Sequence, residues 1–555
     1  MLMKLTGGRI YDPAYGINGK VRDIYVDDGW IVEAPSDGKV LQELDLRGKV
    51  VMAGAIDMHT HIGGGKVNIA RTMLPEDHAA DVVARTELMR SGCGHAAPST
   101  LTAGYRYAEM GYTAGFEPAI LPSNARQAHM EMHDTPIIDK GGYVMLGSDD
   151  YLLRMMAANN DQESINNYVA WTITHSQAIG VKVVNPGGIN AFKFNQRKLD
   201  LGEKNSFYGV TPREILLRLA RAVKELGIPH PLHVHGCNLG VPGNMDTTLD
   251  TMNGIEGLPM HMTHIQFHSY GMEGDYKFSS GAAEIAEAIN RHKNITVDVG
   301  QILFGQTVTA SGDSMHQHAG HAHAHPNKWV TMDIECDAGC GVLPFKYKDQ
   351  SYVNALQWMI GLETFLLVED PWRIFLTTDH PNGAPFTSYP HLIRLLMDKT
   401  FRNEVLSRLH PEAQKASRLA SIDREYSLYE IAIMTRAGAA KLVGLTDRGH
   451  LGVGGAADIT VYTDHADREQ MFSKPDYVFK DGRMVVKDGG LIDVTWGTTH
   501  VVKPEYDKSI ETSLKAYFDK YLTMKMGNFK ISDDEIVDDG RGSLTIQPLH
   551  KGGRI

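Results

Sequence analysis

Two histidines stand two residues apart at the end of a short apolar segment, Ile56-Asp57-Met58-His59-Thr60-His61. Alternate residues of a β-strand face the same side, so the imidazoles of His59 and His61 point in one direction. Paired imidazoles at the end of a strand are suited to a divalent metal ion. Because many His-x-His pairs bind no metal, the prediction depends on further ligands at the ends of other strands.

A lysine, Lys182, lies inside the apolar segment Gly180-Val-Lys-Val-Val184. A charged amine in a buried strand is costly, and burial lowers the pKa of a lysine and makes it a neutral nucleophile. A neutral amine can add carbon dioxide to form a carbamate, whose two oxygens can bridge two metal ions. The alternatives are a lysine that extends its amine to solvent, or one that pairs with an acidic side chain.

Further candidate ligands follow at later predicted strand ends. The segment Leu232-His233-Val234-His235 places two imidazoles on one face, His264 follows an apolar segment, and Asp379 directly follows residues 374–378. In a barrel the carboxyl ends of parallel strands converge on one rim. A carboxylate at that rim can bind metal and take a proton from a water whose pKa falls to about 7 beside metal ions. The ordered set predicts a hydrolytic site with two metal ions.

Two other motifs are not assigned to this site. The histidine-rich run at residues 316–325 lies in a Gly/Ala-rich stretch without a strand or helix pattern, which indicates a flexible loop. The sequence Gly63-Gly64-Gly65-Lys66 lacks the Gly-x4-Gly-Lys-Ser/Thr spacing of a phosphate-binding loop.

The pattern of the whole chain predicts how these residues are positioned. Short strands and turn dipeptides in residues 1–50 and 446–499 predict a small sandwich formed by both ends, or else two unrelated edge hairpins. Residues 51–445 alternate apolar strands with helical patterns, such as residues 212–226 and 281–292, and residues 50–53 are taken as the first buried strand. This alternation predicts parallel β/α units in a closed barrel or an open doubly wound sheet. Residues 500–555 are charged and lack a period, which indicates an extension that wraps the domain or meets a partner.

Composition excludes several classes of protein. The 555-residue chain has a net charge of -12, which argues against a nucleic-acid surface. No apolar stretch approaches the ~20 residues that span a bilayer, and the N-terminus has no signal-peptide pattern, so we expect a cytoplasmic protein. Four cysteines make no disulfide framework, and Cys336 and Cys340 are taken as reduced thiols.

The order His59-x-His61, Lys182, His235, His264, Asp379 resembles the amidohydrolase superfamily, in the subtype where a carboxylated lysine bridges two zinc ions. Within it the chain is similar, over residues 1–490, to the A subunits of formylmethanofuran dehydrogenases and of formyltransferase/hydrolase complexes. Supporting segments are Pro98-Ser-Thr-Leu-Thr-Ala-Gly-Tyr-Arg-Tyr107, Asp134-Thr-Pro-Ile-Ile-Asp139, His264-Ile-Gln-Phe-His-Ser-Tyr270 and Asp423-Arg-Glu-Tyr426. The resemblance implies a (β/α)8 TIM barrel with a small β-sandwich built from both chain ends.

The resemblance also implies an activity and a set of site residues. The reaction is hydrolysis of N-formylmethanofuran to formate and methanofuran, with N6-carboxylysine at Lys182 between two zinc ions. The implied metal ligands are His59, His61, Lys182, His235, His264 and Asp379, with His233 as the alternative to His235. Asp379, as general base, is catalytic together with Lys182 and His264, while Asn185, Asp298 and Gln301 beside strand ends orient the formyl group.

The predicted partners are dehydrogenase-like B and C subunits and a formyltransferase subunit. The histidine-rich run and the last residues depart from the dehydrogenase subunits, and the chain has no cysteine-rich cluster motif, which favours the formyltransferase/hydrolase complex. The alternatives are membership of a formylmethanofuran dehydrogenase, a cyclic-amide hydrolase of the dihydropyrimidinase type, an inactive scaffold, or a deaminase related to cytosine deaminase, which would not need Lys182.

Overall fold

The computed structural model describes residues 2–36, 39–196, 198–332, 340–537 and 539–550. Cys336, one half of the Cys336/Cys340 pair, lies outside these residues, and Cys93, Cys237 and Cys340 are free thiols. Across the described ranges, no helix combines the length and apolar character that crossing a bilayer requires.

Eight parallel strands in the described part of the chain form a barrel, which confirms the closed alternative. In order around the sheet they are Ala55–Asp57, Tyr112–Ile120, Asp139–Met145, Gly180–Val184, Leu232–His235, Met260–Met262, Ile295–Asp298 and Ile374–Phe375. A parallel bridge between Thr60 and His380 joins the ends of the first and last strands. The backbone N–H of His61 donates to the carbonyl of His380 at 2.9 Å, so the ring closes at the rim that carries the predicted ligands.

A helix follows each barrel strand: Thr100–Glu109, Ala125–His133, Gln162–Ser176, Pro212–Glu225, Asn244–Gly254, Ala282–Arg291, Tyr352–Leu367 and Tyr389–Met397. The helix Pro212–Glu225 shows why these segments are helical. Thr211 and Glu214 form a capping box and Pro212 occupies the first turn, while Ile215 and Leu219 lie on the buried face. The two helices predicted from apolar spacing are confirmed to within one residue at each end.

Both chain ends contribute to one nine-stranded sheet, as predicted. Its strands are Met3–Asp12, Ile17–Asp27, Trp30–Val32, Gln42–Asp45, Lys49–Ala53, Ile459–Thr463, Tyr477–Lys480, Arg483–Lys487 and Gly490–Leu491. Lys49–Ala53 pairs with Ile459–Thr463, so the prediction that residues 50–53 begin the barrel is wrong. The chain enters the barrel at Gly54, where an added Cβ would lie 2.1 Å from the Thr113 hydroxyl.

An inserted antiparallel sheet follows the seventh barrel strand, with strands Gly305–Ser311, Val330–Met332 and Cys340–Tyr347. Between its first two strands, Ser314–Gly320 is an α-helix and His321–His323 is a 3-10 turn. The prediction of a structureless loop at residues 316–325 is therefore wrong. Asp313 caps the helix by accepting a hydrogen bond from the backbone N–H of His316 at 3.0 Å, a signal masked by the low-complexity sequence around it.

The C-terminal extension wraps the barrel. Its strand Thr498–Val501 runs parallel to the start of the third barrel strand and pairs with Ser543–Ile546. Its helix Ile510–Tyr521 places Phe518 against Trp171 of a barrel helix, with ring centroids 6.2 Å apart. Further helices of the extension are Met526–Phe529 and Asp534–Val537.

Shorter elements complete the connections: the helices Gly65–Met73, Pro75–Ala80, Asp150–Ala157, Gly188–Lys193, Lys399–Leu406, Pro411–Lys415, Leu428–Ala432, Gly438–Val443 and Arg468–Ser473, and the strands Val82–Val83, Gly92–Cys93, Tyr270–Gly271 and Ser279–Ser280.

A buried cluster of charges joins the barrel, the terminal sheet and the extension. Asp139, at the start of the third barrel strand, lies 2.7 Å from Arg448 Nε and 3.0 Å from Lys480 Nζ. The backbone N–H of Thr498 donates to the same carboxylate at 2.7 Å. Although burial opposes its ionisation, Arg448 and Lys480 hold the pKa of Asp139 well below its usual range.

We predict that Asp139→Asn lowers the free energy of unfolding by about 3 kcal/mol, because two buried cations lose one of their carboxylates and keep only Asp458 and Asp481. Thermal unfolding followed by circular dichroism measures the loss. Asp493→Asn, which breaks an exposed pair with Arg483, is the control and should change stability by less than about 1 kcal/mol. Equal effects of the two variants would show that the cluster does not hold the three parts together.

Candidate metal and active site

The six predicted ligands line one cavity of about 70 Å³ at the carboxyl ends of the barrel strands. They are His59, His61, Lys182, His235, His264 and Asp379. Each side chain is almost completely buried from solvent. The first and last strands supply His59, His61 and Asp379, while the intervening strands supply the others, so barrel closure brings distant parts of the sequence together.

His59, His61 and Asp379 form the tightest group. His59 Nε2 lies 2.9 Å and His61 Nε2 lies 3.5 Å from Asp379 Oδ1. One ligand atom from each of the three lies within 4.8 Å of the others, a spacing that can hold a metal ion. Although burial alone raises it, the pKa of Asp379 lies well below its usual range because His59 and His264 are close.

Lys182 is buried in the fourth strand, and its Nζ donates to the Thr263 hydroxyl at 3.3 Å. Burial lowers the pKa of its amine to about 7, against the opposing influence of Asp379 and Asp298. The amine is therefore substantially neutral near pH 7, which is the form that adds carbon dioxide.

His235 and His264 lie side by side on the other part of the rim, with ring centroids 4.8 Å apart. Asp313 Oδ2 lies 3.2 Å from His235 Nε2. Among the described residues, His264 Nδ1 has no hydrogen-bond partner although it is buried. Gly300 makes room for this histidine, because a Cβ at that position would lie 2.4 Å from His264 Cβ.

His233 shares a strand face with His235 but does not line the cavity. Its Nδ1 lies 2.9 Å from His230 Nε2 and its Nε2 lies 3.1 Å from His59 Nδ1. Both of its nitrogens are thus occupied one layer below the rim. Of the two histidines that the sequence left open, His235 is the one that faces the cavity.

The three residues predicted to orient the formyl group lie elsewhere. Asp298 is fully buried below the rim, 3.1 Å from His59 Nδ1 and 3.0 Å from His261 Nε2. Gln301 is also fully buried and donates to the carbonyls of Ile302 at 2.8 Å and Trp358 at 3.0 Å. Neither lines the ligand cavity. Asn185 lines an adjoining cavity instead.

That adjoining cavity is larger, about 920 Å³, and lies under the inserted sheet. It shares several lining residues with the ligand cavity, including Leu239, Phe267 and Tyr347. His316, from the histidine-rich run, lines both. The small cavity has room for a group of a few atoms, and the larger one has room for the rest of a substrate.

Sequence reasoning missed four residues around the ligands. Glu117 Oε1 lies 2.8 Å from His61 Nδ1, and Lys66, which lines the cavity, donates to the Ala119 carbonyl at 2.9 Å. A carboxylate within the wholly buried strand Tyr112–Ile120 is the same signal that identified Lys182. Thr263 and Asp313 lie in loops after strands and carry no such signal.

His59, His61 and Asp379 fit a divalent cation. The donor set is imidazole and carboxylate, with a neutral amine between, which suits zinc. Burial lowers the pKa of His59, but Asp298 and Asp379 outweigh it and raise the value to about 9. The site thus favours positive charge at this position. Glu117 and Asp313, each beside a candidate ligand, supply the outer carboxylates that orient metal-binding imidazoles.

Comparisons with known proteins agree with this geometry. The model of the Amidohydrolase family matches residues 42–489. The A subunit of the formyltransferase/hydrolase complex Fhc of Methylorubrum extorquens is 41% identical over 538 residues, covering 96% of this chain and 97% of the relative. Protein FwdA of Methanocaldococcus jannaschii is 40% identical over 553 residues, covering 96% of each. This chain belongs to the amidohydrolase family, as the resemblance in the sequence predicted.

A crystal structure shows the same architecture. The chain is similar to a chain of the formyltransferase/hydrolase complex FhcABCD from Methylorubrum extorquens, solved in complex with methylofuran. The TM-score is 0.93 at 40% identity, and the match covers 99% of this chain and 100% of that chain. The predicted fold, a barrel with a sheet domain formed by both chain ends, is confirmed.

We predict that Glu117→Gln weakens zinc binding by about 10- to 100-fold, because the amide no longer fixes the orientation of His61. Competition with a chromophoric chelator measures the affinity. Glu109→Gln makes the same chemical change at a half-buried helix end away from the cavity and should leave the affinity unchanged. Wild-type affinity in Glu117→Gln would remove this residue from the site.

Proposed function

We propose that this chain is the hydrolytic component of a formyltransferase/hydrolase complex and releases formate from an N-formylated carrier of the methanofuran type. The observation that carries the proposal is the convergence of six ligand-type side chains on one cavity. The 41% identity to the A subunit of Fhc over 96% of the chain supports the substrate. A linear formamide is the smallest amide, and its carbonyl suits a cavity of about 70 Å³.

The proposed metal ligands divide into two groups. His59, His61 and Asp379 would hold one zinc ion, and His235 and His264 would hold the second. Lys182 would contribute to both after carboxylation on Nζ, in which its amine forms a C–N bond to carbon dioxide and releases one proton. When bound, the metal ions polarise the formyl oxygen and lower the pKa of the attacking water.

The chain's own residues then handle the proton and the carrier. Asp379 accepts the proton of the attacking water on its carboxylate and passes it to the amine nitrogen as the C–N bond of the formamide breaks. The products are formate and the free amine of the carrier. Asn185, which lines the larger cavity, contacts the carrier rather than the formyl group. In this proposal neither Asp298 nor Gln301 contacts the formyl group. Asp298 accepts a hydrogen bond from His59, and Gln301 donates to the carbonyls of Ile302 and Trp358 and so holds the loop after the seventh barrel strand.

The proposal also includes the partner subunits that the sequence predicts. The complex from Methylorubrum extorquens contains four kinds of subunit, and we propose that this chain assembles with B and C subunits and with a formyltransferase subunit. The second candidate is the dehydrogenase alternative that the resemblance in the sequence implies, in which the same hydrolytic half-reaction runs towards condensation of formate. Purification of the tagged chain from its own cells, with identification of the associated subunits, separates the two.

We predict that Lys182→Ala loses bound zinc and formate release together. Several kcal/mol of transition-state stabilisation by the metal are lost, and each about 1.4 kcal/mol is tenfold, so turnover falls by about a thousandfold. Metal analysis and formate release from N-formylmethanofuran measure both. Lys224→Ala, at an exposed position of a barrel helix, is the control. Near-normal zinc content and activity in Lys182→Ala would reject the bridging role.

We predict that carboxylation of the metal-free chain increases with pH through about 7, because burial lowers the pKa of Lys182 to about 7 and the neutral amine predominates above it. At constant dissolved carbon dioxide labelled with 13C, the neutral fraction of the amine rises about tenfold from about pH 6 to about pH 8. Carbamate formation also releases a proton, so the carbamate NMR signal should rise by more than about tenfold over this range until the lysine is fully carboxylated. Lys182→Arg supplies the background. A signal that first appears above about pH 9 would indicate an ordinary lysine.

A further inference from the structure

A row of three buried imidazoles runs from the ligand cavity into the barrel interior. His59 Nδ1 lies 3.1 Å from His233 Nε2, and His233 Nδ1 lies 2.9 Å from His230 Nε2. His230 Nδ1 lies 3.0 Å from the carbonyl oxygen of Leu442. All three rings are at most 1% exposed. Two of these histidines, His230 and His233, have no part in the proposed chemistry.

The carbonyl at the far end determines the direction of every hydrogen bond in the row. Because a carbonyl only accepts, His230 must donate its Nδ1–H to Leu442, and its Nε2 is then free to accept. His233 therefore donates its Nδ1–H to His230 and accepts on its own Nε2. His59 in turn donates its Nδ1–H to His233. Each proton points away from the cavity.

A second acceptor agrees with this direction. Asp298 Oδ2 lies 3.1 Å from the same His59 Nδ1 and, as a carboxylate, can only accept. His261 donates its Nε2–H to that oxygen at 3.0 Å and accepts from the Thr296 hydroxyl on Nδ1 at 2.9 Å. The opposite arrangement, with a proton on His233 Nε2 facing His59, would put the His59 proton on Nε2 and block that nitrogen from a metal.

Packing holds the two inner rings in place. The ring of Tyr143 stacks on His230 with centroids 4.4 Å apart and on His233 with centroids 4.7 Å apart. Its hydroxyl donates to the carbonyl of Met58, the residue before His59, at 3.0 Å. Gly180, on the adjacent strand, lies against Tyr143 and His230, since a Cβ there would lie 3.1 Å from Tyr143 Cδ1 and 3.4 Å from His230 Cβ.

We infer that His233 and His230 are positioning residues that keep the proton of His59 on Nδ1 and present its Nε2 lone pair to the metal site. This inference rests on the proposed function only in taking His59 as a metal ligand. His233 acts directly on His59, while His230 acts through His233. The carbonyl of Leu442, in the helix Gly438–Val443, thereby sets the state of a ligand two histidines away.

The alternative is that the facing atoms of His59 and His233 bind a metal ion instead of sharing a hydrogen bond. One ligand atom each from His59, His233 and Asp298 lies within 4.8 Å of the others, a spacing that can also hold a metal ion. His233 and Asp298 do not line the ligand cavity, and the hydrogen bonds above account for their facing atoms. An ion located there by anomalous scattering from zinc-loaded crystals would overturn the inference.

Zinc affinity of two His233 variants separates positioning from packing. Phenylalanine keeps the ring and its stacking on Tyr143 but removes both nitrogens, so His233→Phe should weaken zinc binding by about 10- to 100-fold. Glutamine loses the ring but keeps one acceptor and one donor, so His233→Gln should bind zinc within about threefold of wild type. A packing role predicts the reverse order. The measurement is chelator competition on the full-length chain.

The control is His129→Phe, another buried histidine, whose Nε2 donates to the Ser176 carbonyl far from the row; its zinc affinity should equal that of wild type. If the His233 variants do not fold, His230→Phe and His230→Gln give the same comparison one residue further from the metal. Wild-type affinity in the phenylalanine variant, or weaker binding in the glutamine variant than in the phenylalanine variant, overturns the inference.

Nitrogen-15 NMR of the unmodified, zinc-loaded chain labelled on histidine tests the inference without a mutation. We expect His233 to carry its proton on Nδ1 and to have an unprotonated Nε2, and a protonated Nε2 would overturn the assignment. None of these readouts depends on formate release. A chain that binds zinc and shows this tautomer but does not hydrolyse N-formylmethanofuran would contradict the proposed function alone.

Discussion

The parallel bridge between Thr60 and His380 closes the barrel, and the ligand cavity depends on that closure. His59 and His61 follow the first barrel strand and Asp379 follows the last, yet one ligand atom from each residue lies within 4.8 Å of the others. An open sheet would leave these strands on opposite edges. The backbone bond from His61 to His380 forms at the ligands themselves, so the ring closure and the site are one feature.

Closure also places many polar groups in an interior from which water is excluded, where unpaired charge is costly. The structure compensates with partners for the ligands: Glu117 for His61, Asp313 for His235, and Asp298 for His59. These carboxylates lower the cost of burying cationic or metal-bound imidazoles and limit how the rings can turn. These buried carboxylates therefore both stabilise the barrel interior and orient the imidazoles at its rim.

The parts added to the barrel contribute none of the six candidate ligands, but the inserted sheet borders both cavities. The inserted sheet covers the larger cavity, and the helix Ser314–Gly320 brings His316 to the boundary between the two cavities. On the opposite side, Asp139 couples the third strand to the terminal sheet and to the extension.

The sequence by itself determined the β/α order and five candidate ligands, because alternate strand residues share a face and because burial in an apolar strand singles out Lys182. It did not separate His233 from His235, since both lie on the same face of one strand. Only the tertiary structure separates them, because the barrel interior is layered. The deeper ring, His233, contacts His230 and His59, and the upper ring, His235, lines the cavity. The same layering places Asp298 below the rim, where it does not line the ligand cavity. Such depth depends on strand stagger between distant segments, which no local pattern encodes.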